Sequence, residues 1–445
     1  MNKFMIKSLA LCTFSCCVAA QTQTTSEDPA FTILRDNPQP VSTHFYGQGY
    51  WSWVDQWGGH IYNTEPIVAE LNLDTLRMGG INNDNSEPEP FTKTKIDESI
   101  AYADAIGAEP LFQLPTLKDW NGNEASVKSA MEIVKYMNGE KNFHVKYFSI
   151  GNEPDYYVAG GYKDSSYTPE DTCNLFAKIS DAVKAYDPDT VILGPDFAYN
   201  NTVNPWLKPF VENCKGKFDV FTMHRYPFHP LLTTKFNVLN DEDAYRYTLR
   251  KMRDYLDEHG LQDIPLAITE TNVTWDGDPD NVHLAGSPGT FLAALWAADI
   301  LGVSLEEKLW NLSFWSLSEE WDISFLNVDD LSPKPVYYVL QLFSQHFGDQ
   351  VLQVENNVDA QGISVYAGED SASKNVTLAV INKSDEAKTY RWAIKDSNYY
   401  TRVFERTFPA LSLTFLIQTP TFDKPQAWQY TQAMADKALP PQPLQ

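Results

Sequence analysis

Tyr147-Phe-Ser-Ile-Gly-Asn-Glu-Pro154 is a short apolar run that ends on a carboxylate instead of a turn residue, and Leu266-Ala-Ile-Thr-Glu-Thr-Asn272 repeats the arrangement. Runs of this length and composition read as buried strands. A charge at the exit, Glu153 or Glu270, therefore stands at the mouth of a sheet. Working outward from these two, six further strand-like runs occur at 43–47, 75–79, 110–114, 191–195, 220–224 and 312–316. The gaps, roughly 30 to 50 residues, leave room for helical patterns such as 96–106, 124–137, 168–186, 205–213 and 241–258. That alternation predicts an α/β fold, a (β/α)8 TIM barrel. A doubly wound open sheet competes with it, but no Gly-x-Gly-x-x-Gly turn follows any of the strands.

Beyond a helical pattern at 335–347 the periodicity changes. Runs at 351–355, 362–367, 375–381, 389–394, 401–404 and 411–417 alternate apolar and polar residues, with turn signals and no helix-length gaps between them. This is the pattern of an antiparallel β-sandwich. The expected organisation is a catalytic barrel over 40–347 and a C-terminal sandwich over 348–419, joined by an extended segment at about 30–38. Residues 420–445, closing on a Pro-Pro-Gln-Pro motif, read as a surface tail.

With 445 residues and 43% hydrophobic content, the chain is long enough for two packed domains. Residues 1–20 carry Lys3 and Lys7, an apolar stretch, and Val18-Ala-Ala20 before Gln21. They read as a signal peptide, so a secreted or periplasmic protein is expected, with no membrane span. A lipoprotein anchor on Cys16 or Cys17 fits poorly, because Thr-Phe-Ser and Phe-Ser-Cys precede them. Of five cysteines, only Cys173 and Cys214 lie outside that segment. They are placed near the start of one helical pattern and the end of the next. Neighbouring parallel helices would hold them on the order of 10–15 Å apart, so two free thiols are expected. The net charge of −25 disfavours nucleic acid and heavily sulfated or uronate-rich polymers as partners. A solvated acidic surface explains the same charge equally well.

In a parallel barrel the chemistry lies where the strands end. The residues at those ends are His44, Tyr46, Arg77, Gln113, Asn152, Glu153, Asp196, His224, Tyr226, Glu270 and Trp315. A single polar strand end commonly marks only an exit to solvent; a whole rim of them is harder to dismiss. Two carboxyls opposed across one pocket are the minimum equipment for cleaving a glycosidic bond.

Gly151-Asn-Glu-Pro154 on the fourth strand and Thr269-Glu270 on the seventh resemble the two catalytic motifs of the retaining glycoside hydrolases of clan A. Arg77, His224-Arg-Tyr226 and Trp315 stand where that clan carries an arginine beside the nucleophile, a His/Tyr pair and a stacking tryptophan. The resemblance covers about residues 40–347, and the trailing sandwich is similar to the accessory domain of families 39, 51, 30, 44 and 79. It implies Glu153 as acid/base, Glu270 as nucleophile, and no metal or organic cofactor.

Physically, Glu153 must be protonated when it meets the leaving oxygen, which requires burial and a nearby negative charge, here expected from Glu270. Arg77 and Tyr226 suit the holding of Glu270, and Asn152 a sugar hydroxyl. His224 reads either as an orienter of Glu153 or the substrate, or as a structural histidine. A metal site built on it with Asp219 and His229 lacks any two-histidine helical spacing. Trp53, Tyr156, Tyr157, Trp275 and Trp321 lie in the expected top loops and offer stacking faces for an oligo- or polysaccharide. Asn82, Asn83 and Asp84 suit either polar contacts or a plain turn. The expectation is a retaining glycosidase acting on a neutral, β-linked glycan. The alternatives are a non-catalytic carbohydrate-binding barrel or a glycosidase for uronate-containing glycans.

Overall fold

The computed structural model describes all residues except 1–27, 51–62, 88–89, 277–283, 320–321, 357–361, 397–398, 422–423 and 445. The expected signal segment 1–20, Trp53 and Trp321 lie outside the described residues. After β1 (Phe31–Pro40), the chain enters β2 (Tyr46–Tyr50), β3 (Thr75–Met78), β4 (Glu109–Leu114), β5 (Tyr147–Ile150), β6 (Val191–Phe197), β7 (Val220–Arg225), β8 (Leu266–Thr271) and β9 (Asn311–Phe314). Strands β2 to β9 pair in parallel and in chain order, and β9 returns to β2 to close a barrel. Among the described residues no helix is long and apolar enough to cross a membrane.

The two ends of the barrel differ in what fills them. Leu111, Tyr147, Leu193, Val220 and Ala267 pack as one cluster where the strands begin. His44 belongs to this end: its ring stacks on Trp310 at 4.6 Å and its Nε2 lies 2.5 Å from the Tyr147 hydroxyl. Its expected place at a strand exit is therefore corrected, because β2 starts at Tyr46, after His44 and not before it. Tyr46 also leaves the expected rim, since its hydroxyl donates to the Phe343 carbonyl. At the opposite end the register shifts between Gly194 and Phe197, between Met223 and His224, and between Ile268 and Thr271. A bulge lets successive residues turn the same way. This is how Thr269 and Glu270 both reach neighbours inside the pocket.

The remaining strands are β10 (Gln350–Asn356), β11 (Ile363–Glu369), β12 (Val376–Asn382), β13 (Lys388–Asp396), β14 (Tyr399–Phe408), β15 (Ser412–Gln418), β16 (Gln426–Thr431) and β17 (Gln442–Leu444). With β1 they form one sheet in the order β14-β13-β1-β10-β11-β12-β15-β16-β17. Residues from both halves, such as Trp392 and Ile394 against Leu378 and Leu416, share one apolar cluster, so the sheet folds over itself as a sandwich. The alternate residues Ala379, Ile381, Leu413 and Phe415 join the barrel's core instead. Residues 420–445 correct the expectation of a tail. Ala427 and Tyr430 are buried, and β16 and β17 extend the sheet despite the prolines around them.

Helix Phe291–Glu306 lies between barrel and sandwich, buried along nearly all its length. Gly302 is required in it, because a Cβ there would stand 2.3 Å from the Tyr366 ring of β11. Over the same seam Lys383 pairs with Asp299 at 3.0 Å and with Glu242, and Tyr366 donates to Asp299 at 2.9 Å.

Cys173 and Cys214 are joined as a disulfide with Cα atoms 5.7 Å apart, which corrects the expected free thiols. Helix Leu207–Asn213 has only seven residues. Cys214 directly follows it and Cys173 is the fifth residue of helix Pro169–Tyr186, so the bridge requires the two helices to be staggered along their axes, with the end of the short one beside the start of the long one.

Candidate active site

Glu153, just beyond β5, has φ 52°, and Asp196 near the end of β6 has φ 53°. Both are left-handed conformations that cost a non-glycine residue energy and recur where a fold fixes functional side chains. They support each other, since the Glu153 amide donates to the Asp196 carbonyl at 2.9 Å. Arg77 rises from β3 into the middle of the pocket and is fully buried. It donates to Glu270 Oε1 at 2.6 Å, to Asn152 Oδ1 at 2.9 Å and to Asp196 Oδ2 at 3.0 Å. Tyr226 donates to the other oxygen of Glu270 at 2.8 Å. Glu270 thus has both oxygens held in a fixed orientation.

His224 joins the two glutamates. Its Nδ1 lies 2.8 Å from Glu153 Oε1 and 3.5 Å from Glu270 Oε2. One atom from each of Glu153, His224 and Glu270 lies within 4.8 Å of the others. Burial holds the imidazole below its ordinary pKa, with Glu270 pulling it up and Arg77 pushing it down. A neutral ring carries one proton, and that proton belongs on Nδ1, because among the described residues the buried Nε2 has no acceptor.

Burial pushes the Glu153 carboxyl up to about 7, against the pull of Arg77 and with help from Asp196. Asp196 therefore takes the place that the sequence reading gave to Glu270. Burial also acts on Asp196 itself, yet Arg77, His224 and bonds from Thr222 and Thr269 hold it below its ordinary value. It remains a fixed negative charge beside the proton donor.

Trp315 closes one wall. A Cβ at Gly49 or Gly80 would stand 2.8 Å from its ring, so the indole lies flat on bare backbone from two neighbouring strand ends. Glu319 accepts from Ser316 Oγ at 3.0 Å and from the Trp315 side chain, and burial pushes it up to about 7. The structure thus brings Arg77, Asn152, Glu153, His224, Tyr226, Glu270 and Trp315 into one pocket. Tyr156 stands at its edge, 39% exposed. Trp275, half exposed, lies further out against His229, with ring centroids 5.5 Å apart. Tyr157 is buried and donates to Asp84, so it offers no face to a sugar.

Asp84 resolves the choice between turn residue and sugar ligand differently from either. It is buried and accepts from Tyr157, from the Thr116 amide and from the Asn152 amide at 3.3 Å, tying three top loops together. Asp196 stands on the expected rim with no role assigned to it, and Glu319 lies outside the strand ends from which that rim is read. Only tertiary proximity distinguishes these carboxyls from surface ones. Asp219 and His229 do not form a metal site with His224: Asp219 binds the Ile192 amide and Lys184, and His229 caps a short turn. Arg225 turns away from the two glutamates, donating to both oxygens of Asp241 at 2.7 and 2.6 Å.

Residues 111–245, which include Asn152, Glu153, Asp196, His224 and Tyr226, match the family model of the glycosyl hydrolase catalytic core. The chain is a glycoside hydrolase. No curated protein matches its sequence significantly. Among solved structures, the hydrolase is similar to AbfB, a family 51 α-L-arabinofuranosidase from Bifidobacterium longum, with TM-score 0.69 and 15% identity over 88% of this chain and 100% of that one. It is similar to CelM2, a bifunctional glucanase-xylanase from a metagenome library, with TM-score 0.66 and 16% identity over 88% and 99%. A family 44 xyloglucanase from Paenibacillus polymyxa gives TM-score 0.64 and 15% identity over 88% and 100%. At these identities the likeness concerns the fold: a barrel with a trailing sandwich, as expected for clan A.

Proposed function

We propose that this hydrolase is an exported, retaining enzyme that cuts a neutral, β-linked oligo- or polysaccharide by double displacement. The observation that carries the reading is the pair Glu153 and Glu270, with oxygens within 4.8 Å of each other and both close to the His224 ring. Retaining chemistry places its carboxyls about 5–5.5 Å apart and inversion needs about 6.5–9.5 Å. In the first step a Glu270 oxygen attacks the anomeric carbon as the bond to the leaving oxygen breaks, and Glu153 gives that oxygen its proton. In the second step Glu153, now ionised, takes a proton from water, whose oxygen displaces Glu270 from the sugar. The protons and bonds balance over the two steps, and no step is routed through a metal or organic cofactor.

Support for a neutral substrate comes from three cations near the cleft that have carboxylate partners. Arg77 is held by Glu270 and Asp196, Arg225 by Asp241, and Lys163 by Glu124 at 3.1 Å. An acidic sugar would meet an excess of negative charge. Support for export comes from residues 1–20 together with the Cys173–Cys214 disulfide, which fits an oxidising compartment. The test is reducing-sugar release from β-glucans, xylans, galactans, arabinofuranosides and uronate polymers, followed by NMR of the first anomer formed. Initial product of inverted configuration refutes double displacement; tight binding without turnover on every substrate favours the non-catalytic alternative.

A further inference from the structure

An acid that protonates the leaving oxygen stands on the leaving-group side of the cleft, so whatever recognises that half of the substrate lies beside Glu153. Three tyrosines occupy this side. Tyr156 follows Glu153 in a turn whose amide donates to the Glu153 carbonyl at 2.8 Å. Tyr162 returns over Gly160: a Cβ there would stand 2.6 Å from the Tyr162 ring and 2.8 Å from the Tyr156 ring, so the two rings flank one bare backbone position. Tyr199 comes from the loop after β6 and is 46% exposed. Asp155 fixes that loop against the first, accepting from the Ala198 amide at 2.9 Å, the Tyr199 amide at 3.0 Å and the Asn204 side chain at 2.8 Å. Tyr162 and Tyr199 each lie within electrostatic reach of both Tyr156 and Glu153.

We propose that Tyr156, Tyr162 and Tyr199 form a binding site for a neutral sugar ring on the leaving-group side, so that the enzyme cleaves between two sugars and not only at a small alcohol. This rests on the retaining reading above. Aromatic faces carrying hydroxyls match the alternating apolar faces and polar edges of a sugar ring. Burial of the three hydroxyls by a sugar also requires that they be neutral; for Tyr162 and Tyr199, burial and the surrounding negative groups keep them so. The two loops that supply the rings are held together by the buried Asp155, so the site is assembled before substrate arrives.

The experiment compares kcat/KM on two probes built from the sugar that the panel identifies: its linear trisaccharide and its glycosyl fluoride, whose leaving group has no surface to stack. In Tyr156→Ala, Tyr162→Ala and Tyr199→Ala the ratio of trisaccharide to fluoride should fall about threefold to tenfold each. It should fall further in the Tyr156→Ala/Tyr199→Ala pair, and Tyr199→Phe should recover part of the loss. Thermal melting checks that each variant is folded. An unchanged ratio in the double variant, with wild type active on both probes, overturns the tyrosine site alone. A wild type inert on both probes overturns the hydrolytic reading and this site with it.

Discussion

Two buried ionic clusters in this molecule each oppose one cation to more than one carboxylate, and they use the shortage differently. At the seam between barrel and sandwich, Lys383 touches both Glu242 and Asp299. In the pocket, Arg77 touches Glu270 and Asp196, while Glu153 takes its hydrogen bond from the neutral His224. In both places burial raises one carboxyl above its ordinary value, Glu242 in the first and Glu153 in the second. Glu242 has its cation within hydrogen-bond reach and acts as a strut. Among the described residues Glu153 has no such contact, and a proton is the cheapest way to neutralise it. A buried carboxyl becomes a proton donor when the local cation is spent on its neighbours.

The largest way to break that contrast is Glu270→Ala, which should lower turnover by on the order of 10⁵-fold. Added azide should restore a product of inverted configuration, and denaturant melts should move little. Glu153→Ala should cost about 10²–10⁴-fold on sugar leaving groups. Substrates carrying a dinitrophenyl leaving group should pass the first step, with azide accelerating the second; the opposite pattern of rescue would exchange the two roles.

Lys383→Met reverses the readouts. It strands Glu242 and Asp299 and should cost about 3–5 kcal/mol in urea unfolding, with kcat on the surviving folded enzyme unchanged. A loss of kcat there would mean that the seam and the pocket are coupled. The smallest effect expected is a change of pH profile. Glu153 must be protonated in the first step, so kcat/KM should fall as pH rises through about 7. Removing the like charge of Asp196 stabilises the ionised form of Glu153, and Asp196→Asn should move this limb to lower pH. A limb that stays in place would show that burial alone sets the proton affinity.

The barrel and most of the sandwich were legible because their strands announce themselves locally. Glu153 and Glu270 stand out for the same reason, as charges ending apolar runs. What sequence could not supply is who meets whom. Asp84 and Asp155 look like surface acids until the loops close over them, and Asp196, though on the expected rim, gains a role only beside Arg77 and Glu153. Helix Phe291–Glu306 carries no amphipathic stripe because both of its faces are covered, and without a polar face there is no period to detect. The disulfide is hidden because sequence does not say how neighbouring helices are staggered, and β16 because prolines flank the strand without entering it.

The position of β1 has a consequence for how the molecule is made. Phe31 pairs with Asn356 on one side and Trp392 on the other, so the first strand among the described residues is bordered by two strands that follow the barrel in sequence. It has no ladder to join until the entire barrel has emerged, and its closure ties the segment before the barrel to the sheet after it. The sandwich therefore cannot be cut away as an appendage. A chain trimmed to begin at the barrel would leave a gap between β13 and β10 and expose two new strand edges, each a template for sticking to another copy.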